Sequence, residues 1–228
     1  MAGVPGVVFD VDGTLLDTNY LHTIAWTRAM REHGYEDVTM DAVHGAIGIA
    51  SAGLVEHVLG KEDDKLADAH SEAYEAFQDD IRAFPQAADL MKACHERGLK
   101  VVIATSGKEK DLEWMLPAIG VDDDIVDDAS TSSDVENAKP APELMEAAMD
   151  KSGLDPEHTV AIGDTVWDVQ SASRAGIRCI AVTCGGIGEA ALRDAGAVEV
   201  WKDPADLLAH LDESILSGLA PTSHNSAS

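Results

Sequence analysis

The segment from Val7 to Thr18 constrains this chain of 228 residues more than any other part of it. It reads VVFDVDGTLLDT, in which an apolar run ends at Asp10, a second carboxylate follows at Asp12, and Gly13-Thr14 turns the chain. An apolar run without alternation predicts a strand buried on both faces, as in a parallel sheet whose C-terminal edge carries chemistry. Two carboxylates this close repel each other unless a cation lies between them or one takes a proton. The segment therefore predicts a strand that delivers two acids to a metal-dependent active site.

Three later segments also carry polar residues just beyond an apolar run or at the start of a helix. These residues are Thr105, Ser106 and Gly107 at the end of KVVIATSG, Lys139 in NAKPAPE, and Asp164 and Asp168 in VAIGDTVWD. A strand-end hydroxyl and the amides that follow it can donate hydrogen bonds to an anion. Each segment also has a plain structural explanation: a helix cap, a solvated lysine, or carboxylates that complement a helix dipole.

Together the four segments resemble the haloacid dehalogenase-like hydrolase superfamily. Its signature is DxDGT, then a strand-end Thr or Ser, then Lys-Pro, then GDxxxD, and all four parts occur here in that order between Val7 and about Val182. The resemblance implies an α/β fold with a doubly wound parallel sheet and a hydrolase that works through an aspartyl-phosphate. It covers nearly the whole chain, and the alternation of strands and helical stretches along the sequence agrees with it.

The resemblance gives each motif residue an expected role. The expected catalytic residues are Asp10 as nucleophile, Asp12 as general acid and base, Thr105 and Lys139. The expected phosphate or substrate contacts are Gly13, Thr14, Ser106, Gly107 and His22. Mg²⁺ is the expected cofactor, held by Asp10, the backbone carbonyl of Asp12 and Asp164, with Asp168 at or next to the ion. Phosphoryl transfer requires such a set because it depends on in-line placement and neutralisation of charge.

The chain is predicted to divide into a core and an inserted cap. No convincing strand falls in the interval 17–85, which resembles the all-helical cap of the phosphoglycolate phosphatase and β-phosphoglucomutase branch. The core is then 1–16 and 86–219, with a short strand expected near 124–127, and the small, polar tail 220–228 is predicted to be disordered. A cap excludes water and selects the leaving group, so we expect specificity to reside there.

Two features of the predicted cap bear on the substrate. His22 lies one turn into the first helix, where it can touch substrate, assist a proton, or be an ordinary helix histidine. The loop 43–51, VHGAIGIAS, resembles the substrate loop of the branch but has glycines and small residues where many relatives carry Arg or Lys. The missing cation argues against a doubly anionic substrate, and a phosphosugar mutase remains the alternative to a phosphatase.

Other functions of the superfamily fit less well. A haloacid dehalogenase uses the nucleophilic aspartate without an acid at Asp12 or a metal site, so the pair Asp12 and Asp164 argues against it. A phosphonate hydrolase also lacks the second aspartate. A non-enzymatic phosphoacceptor predicts a broken catalytic set, whereas the set here is intact.

The composition limits which partners the protein can bind and indicates its cellular location. Asp and Glu number 42 against 16 Lys and Arg, and the formal net charge of −26 makes nucleic acid and anionic membranes poor partners. No apolar segment is long enough to span a bilayer, no signal-peptide pattern opens the chain, and the three cysteines lack metal-ligand spacing. We therefore expect a cytoplasmic enzyme that acts on a small phosphorylated metabolite, as a monomer or homodimer.

Overall fold

A six-stranded, all-parallel sheet forms the centre of the protein, with strand order β3-β2-β1-β4-β5-β6. The computed structural model describes residues 4–122 and 124–219. The strands are β1 Val4–Phe9, β2 Lys100–Ala104, β3 Asp128–Ser130, β4 Leu154–Gly163, β5 Arg178–Val182 and β6 Glu199–Trp201. The predicted doubly wound α/β fold is confirmed.

Helices cover both faces of the sheet, which explains the uninterrupted apolar run in β1. Val7 and Phe9 point into one hydrophobic cluster and Val8 into another, on the opposite face. The first cluster includes side chains of α5 (Ala87–Glu96), α6 (Leu112–Ile119) and α10 (Pro204–Ala209). The second includes side chains of α7 (Glu143–Ser152), α8 (Val166–Arg174) and α9 (Glu189–Ala195). Each face of β1 therefore removes apolar surface from water, which is the dominant favourable term in folding.

The register of the central strands brings their carboxyl ends together. Phe9 at the end of β1 pairs with Ile103 of β2 on one side and with Ile162 of β4 on the other. The strand order reverses direction at this point, because β2 and β3 lie to one side of β1 and β4 to β6 lie to the other. Open α/β sheets bind ligands at such a switch point, beyond the carboxyl ends of the strands. The residues that follow Phe9, Ala104 and Gly163 are therefore placed around one crevice.

Four helices lie between β1 and α5 and form a helical insertion with its own core. They are α1 Asn19–Glu32, α2 Met40–Ala46, α3 Ser51–Leu59 and α4 Lys65–Glu75. Their shared cluster contains Trp26, Met30, Val43, Ala46, Ile47, Leu54, Val55 and Leu66. The two connections to the core run side by side, since the Asp17 amide donates to the Arg82 carbonyl and the Phe84 amide to the Leu15 carbonyl, both at 2.9 Å. The boundaries predicted for the cap, 17–85, and the core, 1–16 and 86–219, stay a prediction.

The strand expected near 124–127 is displaced. β3 occupies Asp128–Ser130 instead, and Val102 of β2 pairs with Asp128. The apolar pair Ile125 and Val126 suggested a strand, but Ile125 lies in a turn, its amide donating to the Asp122 carbonyl. β3 is an edge strand, where burial imposes little pattern, so its polar sequence DAS gave no signal.

The tail 220–228, predicted to be disordered, lies outside the described residues. Within the described ranges, no helix is both long enough and apolar enough to cross a membrane.

Candidate active site

Three buried aspartates lie together at the carboxyl edge of the sheet. Asp10 directly follows β1, Asp164 directly follows β4, and Asp168 lies in the first turn of α8. Each offers a carboxylate oxygen within 4.8 Å of the other two, and the three residues are at most 5 % exposed. Among the described residues, these three form the group whose geometry suits a metal ion. The structure thus brings together three of the four predicted metal-binding residues through their side chains.

Lys139 is the cation of this cluster. Its ammonium lies 2.5 Å from Asp10 Oδ1 and 2.6 Å from Asp168 Oδ1, and the residue is 1 % exposed. Although burial alone would lower the pKa of Lys139, Asp10 and Asp168 raise it above its usual value. Lys139 therefore stays protonated and lies between two of the clustered acids.

The cluster holds more negative than positive charge, and the pKa values reflect this imbalance. Burial raises the pKa of Asp10 to about 7; Lys139 opposes the rise and Asp168 adds to it. Burial, together with repulsion from Asp168 and Asp10, also raises the pKa of Asp164 well above its usual value. Buried carboxylates in excess of their cations are costly unless they bind protons or a metal. An all-oxygen donor set of this kind fits a hard divalent cation such as Mg²⁺.

Two side chains fix the orientation of these carboxylates. The Thr14 hydroxyl lies 3.2 Å from Asp10 Oδ2 and 3.1 Å from Asp164 Oδ1, so it bridges two of the three acids. Asn19, the first residue of α1, donates from Nδ2 to Asp164 Oδ2 at 2.7 Å and to the Gly185 carbonyl at 3.1 Å. Gly13 has φ +81° and lies against Asn19 and Asp164, where a Cβ would overlap both side chains. The turn that follows β1 therefore reverses the chain and also positions the carboxylates of Asp10 and Asp164.

Asp168 is oriented by a capping box at the start of α8. Its Oδ2 accepts from the amide and the hydroxyl of Thr165, and the Thr165 hydroxyl accepts in turn from the Asp168 amide. Its other oxygen, Oδ1, lies against Lys139. Asp168 thus caps the helix with one oxygen and places the other in the acidic cluster, and its role at a metal ion stays a prediction.

The Asp12 side chain is turned toward the insertion. Its Oδ1 accepts from the Thr18 hydroxyl at 2.6 Å and lies 3.2 Å from His22 Nε2. Burial would raise the pKa of Asp12, but the nearby His22, its hydrogen bond and that of Thr18 lower it below the usual value. Thr18 occupies the N-cap position of α1 but makes no side-chain cap bond, since its hydroxyl is committed to Asp12. Asp12 is therefore ionised and held at the boundary between core and insertion.

The loop after β2 lies beside the carboxylates. Thr105 is fully buried, and its hydroxyl accepts a hydrogen bond from the Gly107 amide at 3.0 Å. The Ser106 hydroxyl donates to the Gly48 carbonyl of the insertion at 2.7 Å. The loop is thus at the predicted place, and two of the groups expected to bind phosphate also make contacts within the protein. The phosphate-binding roles of Thr105, Ser106 and Gly107 stay a prediction.

A cavity of about 530 Å³ lies between the insertion and the core, above Asp10 and Asp12. His22, one of the residues predicted to contact substrate, lines it. The ring of His22 stacks on that of Tyr74, with centroids 4.0 Å apart, and its Nδ1 lies 3.1 Å from His70 Nε2. Volumes of this size accept ligands larger than a phosphate group alone.

Sequence reasoning missed three residues at this site. Asn19 was considered only as a helix cap, although its position beside the DxDGT segment was an available signal. His70 and Tyr74 lie on α4, 48 and 52 residues from His22 in sequence, within a helix whose pattern is merely amphipathic. Nothing in the sequence linked them to the motif, because only the packing of α1 against α4 brings them there.

The fold and site define a class of enzyme. A parallel sheet places Asp10, Asp164 and Asp168 beside Lys139 at its switch point, as a nucleophile and a metal site would require. A helical insertion encloses the space above them. The model of the haloacid dehalogenase-like hydrolases matches residues 7–182 of the chain. The protein therefore belongs to that hydrolase family, as its sequence motifs indicated.

Two named relatives show different extents of similarity. The chain is 31 % identical over 232 residues to the chloroplastic protein SUPPRESSOR OF QUENCHING 1 of Arabidopsis thaliana, a match that covers 98 % of this chain and 22 % of that protein. The chain thus spans about a fifth of the length of this plant relative. It is 28 % identical over 181 residues to the pyrophosphatase PpaX of Oceanobacillus iheyensis, covering 77 % of this chain and 82 % of PpaX.

A solved structure matches nearly the whole fold. The crystal structure of a hydrolase from Pseudomonas syringae superposes with a TM-score of 0.85 at 33 % sequence identity. The match covers 92 % of this chain and 98 % of that one, so it includes both the sheet and most of the helical insertion.

Proposed function

We propose that the chain is a Mg²⁺-dependent phosphatase that hydrolyses a small phosphomonoester through an aspartyl-phosphate on Asp10. The observation that carries the proposal is the placement of Asp10. It is a buried carboxylate in contact with Lys139, grouped with Asp164 and Asp168, and it opens into the cavity beside Asp12. Family membership and a relative named as a pyrophosphatase support phosphoryl chemistry.

Asp10, Asp164 and Asp168 would hold the metal, with the backbone carbonyl of Asp12 as a further ligand. Mg²⁺ bound there supplies positive charge that neutralises the phosphoryl oxygens in the transition state. The buried acid excess described above is the feature of this chain that fits such an ion.

The chain's own residues then perform two displacements. In the first, an Asp10 carboxylate oxygen attacks phosphorus and the bond from phosphorus to the ester oxygen breaks. Asp12, ionised in the free protein, takes a proton from the phosphomonoester monoanion as it binds and gives that proton to the departing alkoxide. In the second, a water attacks the phosphorus of the aspartyl-phosphate, its proton passes to Asp12, and inorganic phosphate leaves with Asp10 restored. Asp12 lies two residues beyond Asp10 and lines the same cavity, so it can serve both half-reactions.

The other motif residues bind and orient. Lys139 lies against Asp10 and would also neutralise a phosphoryl oxygen, while Thr105 and the amides of Ser106 and Gly107 would donate to the remaining oxygens. Gly13 and Thr14 close the turn around the carboxylates, and Thr14 keeps Asp10 and Asp164 in place. His22 would hold Asp12 in position for proton transfer.

The phosphosugar mutase alternative is the weaker of the two. A mutase must hold a bisphosphate while it reorients, which favours cations on the side of the cavity away from Asp10. The lysines and arginines of residues 17–85 all lie outside the cavity lining. The cytoplasmic location and the monomeric or homodimeric state expected from the sequence stay predictions.

Acid-quench mass spectrometry tests the proposal directly. The full-length protein is mixed with p-nitrophenyl phosphate and Mg²⁺, quenched in acid, digested and analysed for an added phosphoryl group. The expected result is a hydroxylamine-sensitive phosphoryl group on the peptide that contains Asp10, absent in Asp10→Asn and in the presence of chelator. Turnover without any such adduct, or an adduct on another residue, contradicts the mechanism.

A further inference from the structure

The cavity between insertion and core has a charge asymmetry that bears on its substrate. Lys108 and Lys110, both exposed on the core side, supply its lysines, and they lie beside the carboxylates Asp111 and Glu113. The insertion's share of the lining contains no lysine or arginine, and its one carboxylate is Glu75. The space above Asp10 therefore lacks a buried positive charge on the insertion side.

Four of the five lysines and arginines in residues 17–85 make contacts outside the cavity, and the fifth, Lys65, is exposed and lies outside the lining. Arg28 lies 5.7 Å from the centroid of the Phe77 ring and Lys61 4.7 Å from that of Tyr35. Arg31 donates to the Val38 carbonyl, and Arg82 to the carbonyls of Asp79 and Ile81. These contacts leave the cavity free of their charge.

In the loop 43–51, the position of Gly48 has no room for a cationic side chain. Gly48 has φ +101°, and a Cβ there would lie 2.8 Å from the Thr165 hydroxyl. Its carbonyl accepts from Ser106 at 2.7 Å, so the backbone itself contacts the core. An arginine at this position would require the insertion to lift away.

Aliphatic, aromatic and neutral polar side chains line the insertion side, together with the one carboxylate, Glu75. His70, Tyr74 and, from the core, Trp114 supply rings, while Ser51, Ser71 and Gln78 supply hydrogen-bonding side chains. Burial lowers the pKa of His70 to about 2, and His22 lowers it further, so His70 carries no charge at neutral pH. Aromatic rings beside neutral hydrogen-bonding groups match the apolar faces and hydroxyls of a cyclic polyol.

We infer, on the basis of the proposed phosphatase function, that the substrate is the monophosphate of an uncharged, ring-sized polyol such as a sugar. A second anionic group on the substrate would face Glu75 and the neutral wall without a partner, and an unpartnered charge is costly there. Substrates with a second anion, including phosphoglycolate, pyrophosphate and bisphosphates, are poor ones.

Kinetics on matched esters test this inference. With Mg²⁺ and the full chain, kcat/KM for a hexose monophosphate should exceed that for phosphoglycolate, pyrophosphate and a hexose bisphosphate by about tenfold or more. Equal or better hydrolysis of any of these competitors, each of which carries a second anionic group, overturns the inference. p-Nitrophenyl phosphate distinguishes failure of this inference from failure of the proposed function. If it is cleaved, only the inferred substrate class is wrong. If it is not cleaved, the proposed phosphatase function is wrong.

Charge variants sharpen the result. Ala52→Lys adds a cation to the insertion side of the lining, and Glu75→Gln removes its carboxylate; each should narrow the preference over phosphoglycolate by severalfold. Glu72→Gln, an exposed residue of the same helix outside the lining, should leave the preference unchanged. If Ala52→Lys and Glu75→Gln act like Glu72→Gln, the charge of this wall does not select the substrate.

Discussion

The two sides of the cavity differ in what they contribute. The core side presents charge: three buried aspartates and one buried lysine held within a few ångströms of each other by Thr14 and Thr165. The insertion side presents rings, aliphatic and neutral polar side chains and one carboxylate, Glu75, and its arginines and lysines lie outside the cavity lining. Under the proposed function, this difference places the chemistry and the choice of substrate in separate parts of the chain. A few contacts cross the boundary, and the predictions below test both sides and these contacts.

The largest expected effect is on the core side, at the nucleophile. Asp10→Asn removes the attacking carboxylate while keeping its size, and turnover of p-nitrophenyl phosphate should fall by about 10⁴-fold or more. The matched control is Asp89→Asn, an exposed aspartate on α5, which should be fully active. Appreciable activity in Asp10→Asn would move the nucleophile to another residue.

Metal binding is the next largest effect, and it can be measured without substrate. Saturating Mg²⁺ should raise the Tm of the wild type by about 5 °C or more, since a ligand bound only by the native state stabilises it. In Asp164→Asn, which loses one of the three clustered carboxylates, the Mg²⁺ response should disappear. Asp150→Asn, an exposed substitution, serves as the control. Equal stabilisation of Asp164→Asn and wild type by Mg²⁺ would show that the ion binds elsewhere.

The charge excess of the core side should also appear as a pH dependence of stability in chelator. The pKa of Asp10 rises from 3.8 in the unfolded chain to about 7 in the native state, so the native state binds the more protons between these values. Stability should therefore decrease as pH rises through this window and level off above it, lowering Tm by about 5 °C from pH 5 to 8.

The variant Asp10→Asn should reduce this slope, and saturating Mg²⁺ should flatten it in the wild type. Asp164, whose pKa is also raised, acts in the same sense as Asp10. His70, whose pKa is lowered from 6.5 to about 2, acts in the opposite sense, so the net decrease should be smaller below pH 6.5 than above it. Asp12, whose pKa is lowered, also acts in the opposite sense but only at more acidic pH, outside the measured range. Thermal unfolding in chelator at a series of pH values measures the effect. A Tm that rises with pH across this range would contradict the assignment of Asp10 as a buried, destabilised carboxylate.

Asn19 contacts both sides of the cavity, because it belongs to the first helix of the insertion and its side chain bonds a carboxylate of the core. Asn19→Ala removes the donor to Asp164 Oδ2, and the Mg²⁺ affinity from calorimetry should fall about tenfold. Asn137→Ala removes an exposed asparagine whose side chain bonds Glu143, and it should not change the affinity. Unaltered affinity in Asn19→Ala would mean that Asp164 is held well enough by Thr14 alone.

The smallest effect concerns the contact that seats the insertion on α8. Trp167 Nε1 donates to the Gly45 carbonyl at 3.0 Å, and Trp167→Phe removes one such hydrogen bond at a partly exposed position. KM for p-nitrophenyl phosphate should rise about two- to threefold with kcat unchanged. Trp201→Phe, which loses a bond to Glu199 remote from the cavity, is the control. A change in kcat rather than KM would indicate that the contact affects the reaction itself.

Local pattern was a good guide wherever burial imposes one. The run Val7, Val8 and Phe9 predicted a strand buried on both faces, and the strand lies between two hydrophobic clusters. It was a poor guide at β3, an edge strand of polar sequence, where the apolar pair Ile125 and Val126 marked a turn instead. The apolar pattern marked the buried side chain of Ile125, but the strand is defined by backbone pairing of the polar residues that follow it.

The sequence by itself determined the class of the enzyme and its candidate reacting groups, because the motif acids and Thr105 lie just beyond a strand or in the first turn of a helix, and parallel strands bring their carboxyl ends to one edge. Tertiary structure alone decided the rest. Asn19 reaches Asp164 across 145 positions, and His70 reaches His22 across 48. The neutral cavity wall likewise depends on where Arg28, Arg31 and Lys61 find partners outside it. Such contacts join residues whose separation in sequence has no period, so they exist only once the insertion has packed on itself and on the sheet.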